Sequence, residues 1–187
     1  MKKTKNLSME PSDIAKRKLR KDSRYVTFRA LIDADSKFEL PLDDWREEAR
    51  LLHKSRTVKK LSGSNTNFAR SLVKAAAQEA SVRSRFTEML VQTNTAHRQL
   101  KQHLEALFDW LTVQYSYELS QVGKTVKERE AFVTNTLRPY YKLMDNSDNF
   151  LQELAFYIKD IDQAGYSIRA MADVFGAIFK AEGRVDL

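Results

Sequence analysis

The side chains able to do acid–base, metal or nucleophilic chemistry are few here, and poorly spaced for it. The chain has three histidines, His53, His97 and His103, and no cysteine in 187 residues. His97 and His103 stand six apart, so on a helix they do not share a face as i, i+4 ligands do. No Glu-x-x-His repeat is present to build a di-metal site between helices. Without Cys, disulfides, thiolate zinc sites and cysteine nucleophiles drop out together. The carboxylate pairs Asp43/Asp44 and Asp160/Asp162 read as a helix start and a solvated helix surface. Gly123-Lys124-Thr125 has the ending of a phosphate-binding loop, but the glycine required five residues earlier is replaced by Glu118, and no strand precedes it. It reads instead as a helix stop followed by a cap. With no catalytic constellation, the expectation is a protein that is not an enzyme and uses no cofactor and no metal.

Cations are the better-placed chemistry. Net charge is +7; residues 1–70 carry 18 Lys and Arg against 10 Asp and Glu, and residues 71–187 carry 14 against 15. All the excess positive charge therefore lies early in the chain, which points to a polyanion-binding end joined to an end with another task. One cluster is Lys16, Arg17, Lys18, Arg20 and Lys21. A second spans 54–85, where Lys54, Arg56, Lys59, Lys60, Arg70, Lys74, Arg83 and Arg85 accompany a single acid, Glu79. Arg70 and Lys74 are i, i+4 neighbours, and Ser62, Ser64, Asn65 and Thr66 offer donors able to follow a phosphate backbone. Phe68 and Phe86 lie beside this cluster, as core residues first and base-stacking candidates second. Nothing resembles a compact helix-turn-helix with base-reading side chains. The cations therefore predict salt-dependent phosphate contact with a single strand rather than sequence-specific duplex readout.

Two long apolar stripes must position these groups. The first is Phe86, Leu90, Thr93, His97, Leu100, Leu104, Leu107, Leu111. The second is Tyr140, Met144, Ser147, Leu151, Leu154, Ile158, Ile161, Gly165, Ile168, Ala172, Phe175, Phe179. Alternating steps of four and three keep one face of a helix toward a partner, and His97 reads as a polar core position that sets register. Helix is expected from about Thr66 to Ser120, with a left-handed stop at Gly123. A capping box at Thr125–Glu128 then opens a second helix that bends or restarts at Pro139 and runs to about Lys180. Gly165 falls in register, as a close-packing point or a kink. Helices joined by so short a turn lie antiparallel.

The expected fold class is thus all-α: a long antiparallel helical hairpin, coiled-coil-like, over residues 65–187 with its tip near 122–125. A short mixed, basic N-terminal region precedes it. Residues 1–24 read as a basic flexible arm, able to become helical over Ser12–Lys21 on binding. Residues 25–64 read as a small region with one helix, Pro41 to Lys54, and a basic loop. Within it Tyr25–Ile32 is β-prone and predicts a strand paired with Lys37–Leu40. Phe108, Trp110, Tyr115, Tyr117, Tyr141, Phe150, Phe156 and Tyr157 flank the stripes, more than one hairpin can bury. Either the N-terminal segments or other copies must cover them. A homo-oligomer is expected, with Leu151, Leu154, Ile158, Ile161, Ile168, Phe175 and Phe179 as the core or assembly face.

The segments Tyr115–Lys124 and Leu154–Arg169 resemble the UvsY-like recombination mediators of tailed phages. The first carries aromatics followed by Gly-Lys. The second carries Ile, a polar stretch, an aromatic, then Ile with a basic residue. The resemblance covers about 70 residues of the C-terminal half. It implies a small basic helical protein that oligomerises through a C-terminal helix, binds single-stranded DNA and helps to load a recombinase. It also implies a bacterial host cytoplasm. The family places basic residues just ahead of its aromatic–Gly–Lys segment, where this chain has Leu111, Thr112, Val113 and Gln114, so the family's DNA-binding positions do not carry over. Lack of cysteine and of any apolar run near 20 residues fits a cytoplasmic protein without a membrane span. The function expected is a non-catalytic, oligomeric single-strand-binding accessory of recombination or replication. The alternatives are a scaffolding coiled coil, as in a phage particle or assembly adaptor, or a helical subunit of a larger nucleoprotein complex.

Overall fold

Apolar side chains recurring every three and four residues along most of this chain leave helix as the economical way to bury them. The computed structural model describes residues 10–34, 40–56 and 65–181. Its elements are α1 (Pro11–Lys21), α2 (Ser23–Ala34), α3 (Leu42–Ser55), α4 (Asn65–Gln114), α5 (Ser116–Val122) and α6 (Val126–Ala181). The fold is all-α, with α4 and α6 packed against each other as the arms of a helical hairpin. Among the described residues no helix is long and apolar enough to cross a membrane. The chain groups into two compact units. One draws on Met1–Leu40 and Thr95–Asp148, the other on Pro41–Asn94 and Asn149–Leu187. These units combine early and late segments, whereas the expected division into 1–24, 25–64 and 65–187 ran along the chain.

In the first unit the two segments expected as an arm and a strand are both helices. Pro11 opens α1 without wasting an N–H, Asp13 lies in its first turn, and Lys18, Arg20 and Lys21 lie in its last, a charge order that suits the helix dipole. Its inner face is Ala15 and Leu19, four apart and buried, and the helix packs on α5 and α2. So residues 10–24 are not a flexible arm: an alanine and a leucine at the right spacing suffice to dock them. In α2 the aromatic and β-branched run is real, but Tyr25, Phe28 and Ile32 recur at helical spacing and all are buried. Burial of that face against the hairpin outweighs β-propensity. Phe28 and Tyr25 meet Tyr140 edge-on, at 4.9 and 6.3 Å between ring centroids. Leu19 joins them on Leu100, Leu104, Leu107 and Leu111 of α4, Leu119 of α5, and Val133 and Leu137 of α6. Phe108, Trp110, Tyr115 and Tyr141 pack against this core, so the N-terminal helices cover much of the aromatic surface that had called for other copies. Tyr117 stays exposed.

The tip falls where expected, with one correction. Gly123 has φ −131° and ψ 134°, extended rather than left-handed. Its requirement is space: a Cβ there would come within 2.8 Å of Glu128 Cβ and 3.1 Å of the Arg129 amide nitrogen. The capping box closes beside it. Thr125 Oγ1 accepts from the Glu128 amide at 3.2 Å, and Glu128 Oε2 accepts from the amides of Thr125 and Lys124 at 3.1 and 2.6 Å. α4 does not run unbroken to Ser120; it breaks at Tyr115, whose hydroxyl bonds to Asp22. α6, by contrast, continues through Pro139 without a restart.

In the second unit, Phe86 meets Tyr157, Arg83 meets Asp162, and Phe68 meets Phe175. Partners rise along α6 as they fall along α4, so the two run antiparallel. α3 lies parallel to α6, with Trp45 on Phe150, Arg46 on Glu153 and His53 on Asp160. The stripe on α4 is shifted from expectation by one residue at two positions: Met89 and Ala96 are buried, while Leu90 and His97 are half-buried. On α6, Phe150 is fully buried and Leu151 only half. Gly165 is not a close contact and does not break α6, which runs through it with open space where a Cβ would be.

Substituting Gly123→Ala forces the first turn of α6 to shift, and the expected loss is about 1–3 kcal/mol, the usual range for overpacking. A urea titration followed by circular dichroism reads it as a lower midpoint with unchanged slope.

Candidate nucleic-acid interface

Phosphate contact needs cations that are exposed and not already neutralised, and by that test the expected site divides sharply. Arg56, immediately after α3, is 1% exposed. Its Nε and Nη2 donate to Glu79 at 2.7–2.9 Å, and its Nη1 donates to Asp160. It is no phosphate ligand but the cation of a buried network. Asp160 also accepts from His53 Nε2 at 2.7 Å, and His53 stacks on Tyr157 at 4.6 Å. The His53 hydrogen bond first, and Arg56 after it, hold the Asp160 carboxyl below its ordinary range. Arg83 is likewise engaged, with Nε 2.7 Å from Asp162, and Arg85 clamps Glu48 at 2.8 and 2.9 Å while reaching Glu88 at 2.8 Å. Their hydrogen bonds to these carboxylates raise both guanidinium pKa values. Of three arginines expected to grip nucleic acid, Arg56 is thus an internal strut, while the exposed Arg83 and half-buried Arg85 are already paired with carboxylates of the chain. Position in a basic stretch could not reveal this, because the partners lie on α3, α4 and α6, most of them far along the chain.

Of the rest of that cluster, Lys54, Arg70 and Lys74 are exposed and make no ion pair among the described residues. Lys59 and Lys60, with Ser62 and Ser64, lie outside the described residues. Phe68 is half-buried against Phe175 at 5.3 Å and Phe86 is fully buried, so both belong to packing.

The first cluster fares differently. Docking α1 by Ala15 and Leu19 turns Lys16, Arg17, Arg20 and Lys21 outward, exposed and without an ion-pair partner among the described residues. Lys18 alone is taken, by Glu118 of α5 at 2.7 Å. The result is a cationic face held on a folded support.

Sequence reading missed the group beneath it. Asp22, between α1 and α2, is 8% exposed and has no ion-pair partner among the described residues. Its Oδ1 accepts from the amides of Arg24 and Tyr25 at 2.8 and 3.3 Å, capping α2, and its Oδ2 accepts from the Tyr115 hydroxyl at 3.0 Å and Trp110 Nε1 at 3.4 Å. Burial pushes its pKa up, but these hydrogen bonds, Tyr115 foremost, prevail and hold it below the ordinary carboxylate range. Burial and the same bond push the Tyr115 hydroxyl up. Above this cap the Arg24 guanidinium lies 3.6 Å from the centre of the Trp110 ring. An Asp just ahead of a helix is a readable capping signal; its second job, holding two aromatics of distant sequence, is not.

Of the expected core and assembly residues, Leu154, Ile161 and Ile168 are buried within the chain, and Leu151, Ile158, Phe175 and Phe179 are half-buried. His97 Nδ1 is buried without a hydrogen-bond partner, as is Thr93 Oγ1. Among the described residues no three His, Asp or Glu side chains are placed to hold a metal ion.

No family model matches the chain, and no curated protein or solved structure matches it either.

Arg56→Met strands the Glu79 carboxylate in the interior and is expected to cost about 3–5 kcal/mol; adding Glu79→Leu recovers most of that loss. Urea unfolding of the single and double variants measures both.

Proposed function

We propose that this protein is a non-catalytic, self-associating accessory factor that holds single-stranded nucleic acid, DNA by preference, in recombination or replication. The observation that carries the reading is the outward face of α1, where Lys16, Arg17, Arg20 and Lys21 stand exposed, without an ion-pair partner among the described residues, on a helix whose other face is docked. A cation held in place spends less conformational entropy on meeting a phosphate than one on a loose chain. Lys54, Arg70 and Lys74, in the second unit, add exposed charge there. The resemblance to UvsY-like mediators supports the choice of a single strand and of a recombinase as protein partner.

Self-association has its own support. α3 ends at Ser55, and the late turns of α6 beyond it keep Val174 and Ile178 61% and 46% exposed, with Val73 of α4 71% exposed. Apolar side chains of that size grouped on one helix pair favour a second copy. Several copies multiply weak phosphate contacts through effective concentration. The scaffold reading takes its support from the opposite fact, that Arg56, Arg83 and Arg85 are already paired with carboxylates of the chain.

Replacing Lys16, Arg17, Arg20 and Lys21 together by Ala is expected to weaken binding of a labelled single-stranded oligonucleotide. It should also reduce the log–log salt slope by up to about 3 per protomer, at ~0.7 per phosphate. Arg83→Ala leaves both unchanged. Anisotropy titrations at several salt concentrations decide it, and an unaltered slope in the fourfold variant removes α1 from the interface. Val174→Glu combined with Ile178→Glu is expected to convert the oligomer to monomer without loss of helicity, read by chromatography with light scattering. If the wild type is already monomeric, self-association is wrong.

A further inference from the structure

We infer that Arg24 and Trp110, with the groove beside them, form a subsite for a nucleobase of the bound strand, next to the phosphate-contacting face of α1. The inference rests on the single-strand reading above and deepens it. Arg24 is exposed, and its guanidinium covers the Trp110 ring at 3.6 Å rather than pairing with any carboxylate among the described residues. An exposed arginine ordinarily wanders; here the backbone is tied at the start of α2 and the guanidinium rests on a ring that is itself anchored. Its own amide and the Trp110 N–H both donate to Asp22, at 2.8 and 3.4 Å, so one buried carboxylate sets the start of α2 and anchors the indole beneath it. A guanidinium has two flat faces, and the indole occupies one. The other suits a planar heteroaromatic ring, by stacking and cation–π attraction.

The surroundings fit the same ligand. Arg24 borders a groove of about 320 Å³ whose apolar floor includes Phe28, Leu31 and Leu107, with the hydroxyl-bearing residues Ser23 and Thr27 along it. That volume is at the small end for ligand sites and has room for a nucleobase. An apolar floor with a few polar groups at the edge suits a base better than a bare phosphate. Arg20 and Lys21 of α1 lie four and three residues before Arg24, so backbone and base contacts would occur side by side in one unit.

The test compares a twelve-residue oligothymidylate with an abasic strand of the same length and phosphate count, and repeats the pair with ribose backbones. The wild-type protein is expected to bind the base-bearing strand about tenfold more tightly than the abasic one. Arg24→Lys keeps the charge and loses the plane; it should erase most of that difference while leaving the salt slope as it was. A preference for bases in either sugar series supports the subsite and shows which backbone it accepts. Equal binding of base-bearing and abasic strands by the wild type overturns the subsite and leaves phosphate binding standing. Failure to bind any strand overturns the functional reading and the subsite together.

Discussion

A buried guanidinium between two carboxylates governs the second unit. Glu79 occupies a position in the α4 stripe between Ala75 and Val82 where the helical rhythm calls for an apolar side chain. A carboxylate there is tolerable only because Arg56 fills its hydrogen-bonding capacity from the end of α3. The same arginine reaches Asp160 on α6. One residue thereby ties three helices at one level, and sliding α3 along its neighbours by a turn would leave two acids without a partner. Apolar contacts alone permit such slips, because one leucine layer resembles the next. A buried ion pair contributes little net stability over a hydrophobic replacement but discriminates strongly between registers.

The first unit meets the same difficulty with a different solution. Asp22 is as secluded as a core residue, yet its four donors are two amides, a phenol and an indole, all neutral. No second charge has to be stripped of water, and the carboxylate gains helix-start N–H groups that would otherwise lack partners. This arrangement joins α1 and α2 at a fixed bend. It also reaches the junction of α4 and α5, where Tyr115 departs from helical dihedrals at φ −107° and ψ 26°.

Much of the hairpin was legible because its signals are local. A run of 50 residues with neither Gly nor Pro, a Gly, and a Thr-x-x-Glu box are each visible without knowing what lies opposite. The one-residue errors in the stripe, Leu90 for Met89 and His97 for Ala96, arise because steps of three and of four both satisfy the helical rhythm and only the partner helix chooses between them. The docking of α1 and the helicity of α2 were illegible for a related reason. Ala15 carries too little hydrophobic weight to register in a charged segment, and Tyr25–Ile32 satisfies a β pattern and a helical one at once. The candidate interface was the least legible part. A lysine or arginine looks the same in sequence whether it faces solvent or an acid 79 or 104 residues away, as Arg83 and Arg56 do.

Three residues, Gly123 to Thr125, separate α5 from α6, and this brevity bears on the order in which the hairpin closes. Loop-closure entropy rises with the length of chain enclosed, so Leu119 and Val133, 14 positions apart, come together at far less cost than Phe68 and Phe175, 107 apart. By the logarithmic rule the difference between the two closures is about 2 kcal/mol, enough to favour contacts beside the turn. Assembly that proceeds from the bend outward leaves the late turns of α6 as the last to be secured and the first to let go.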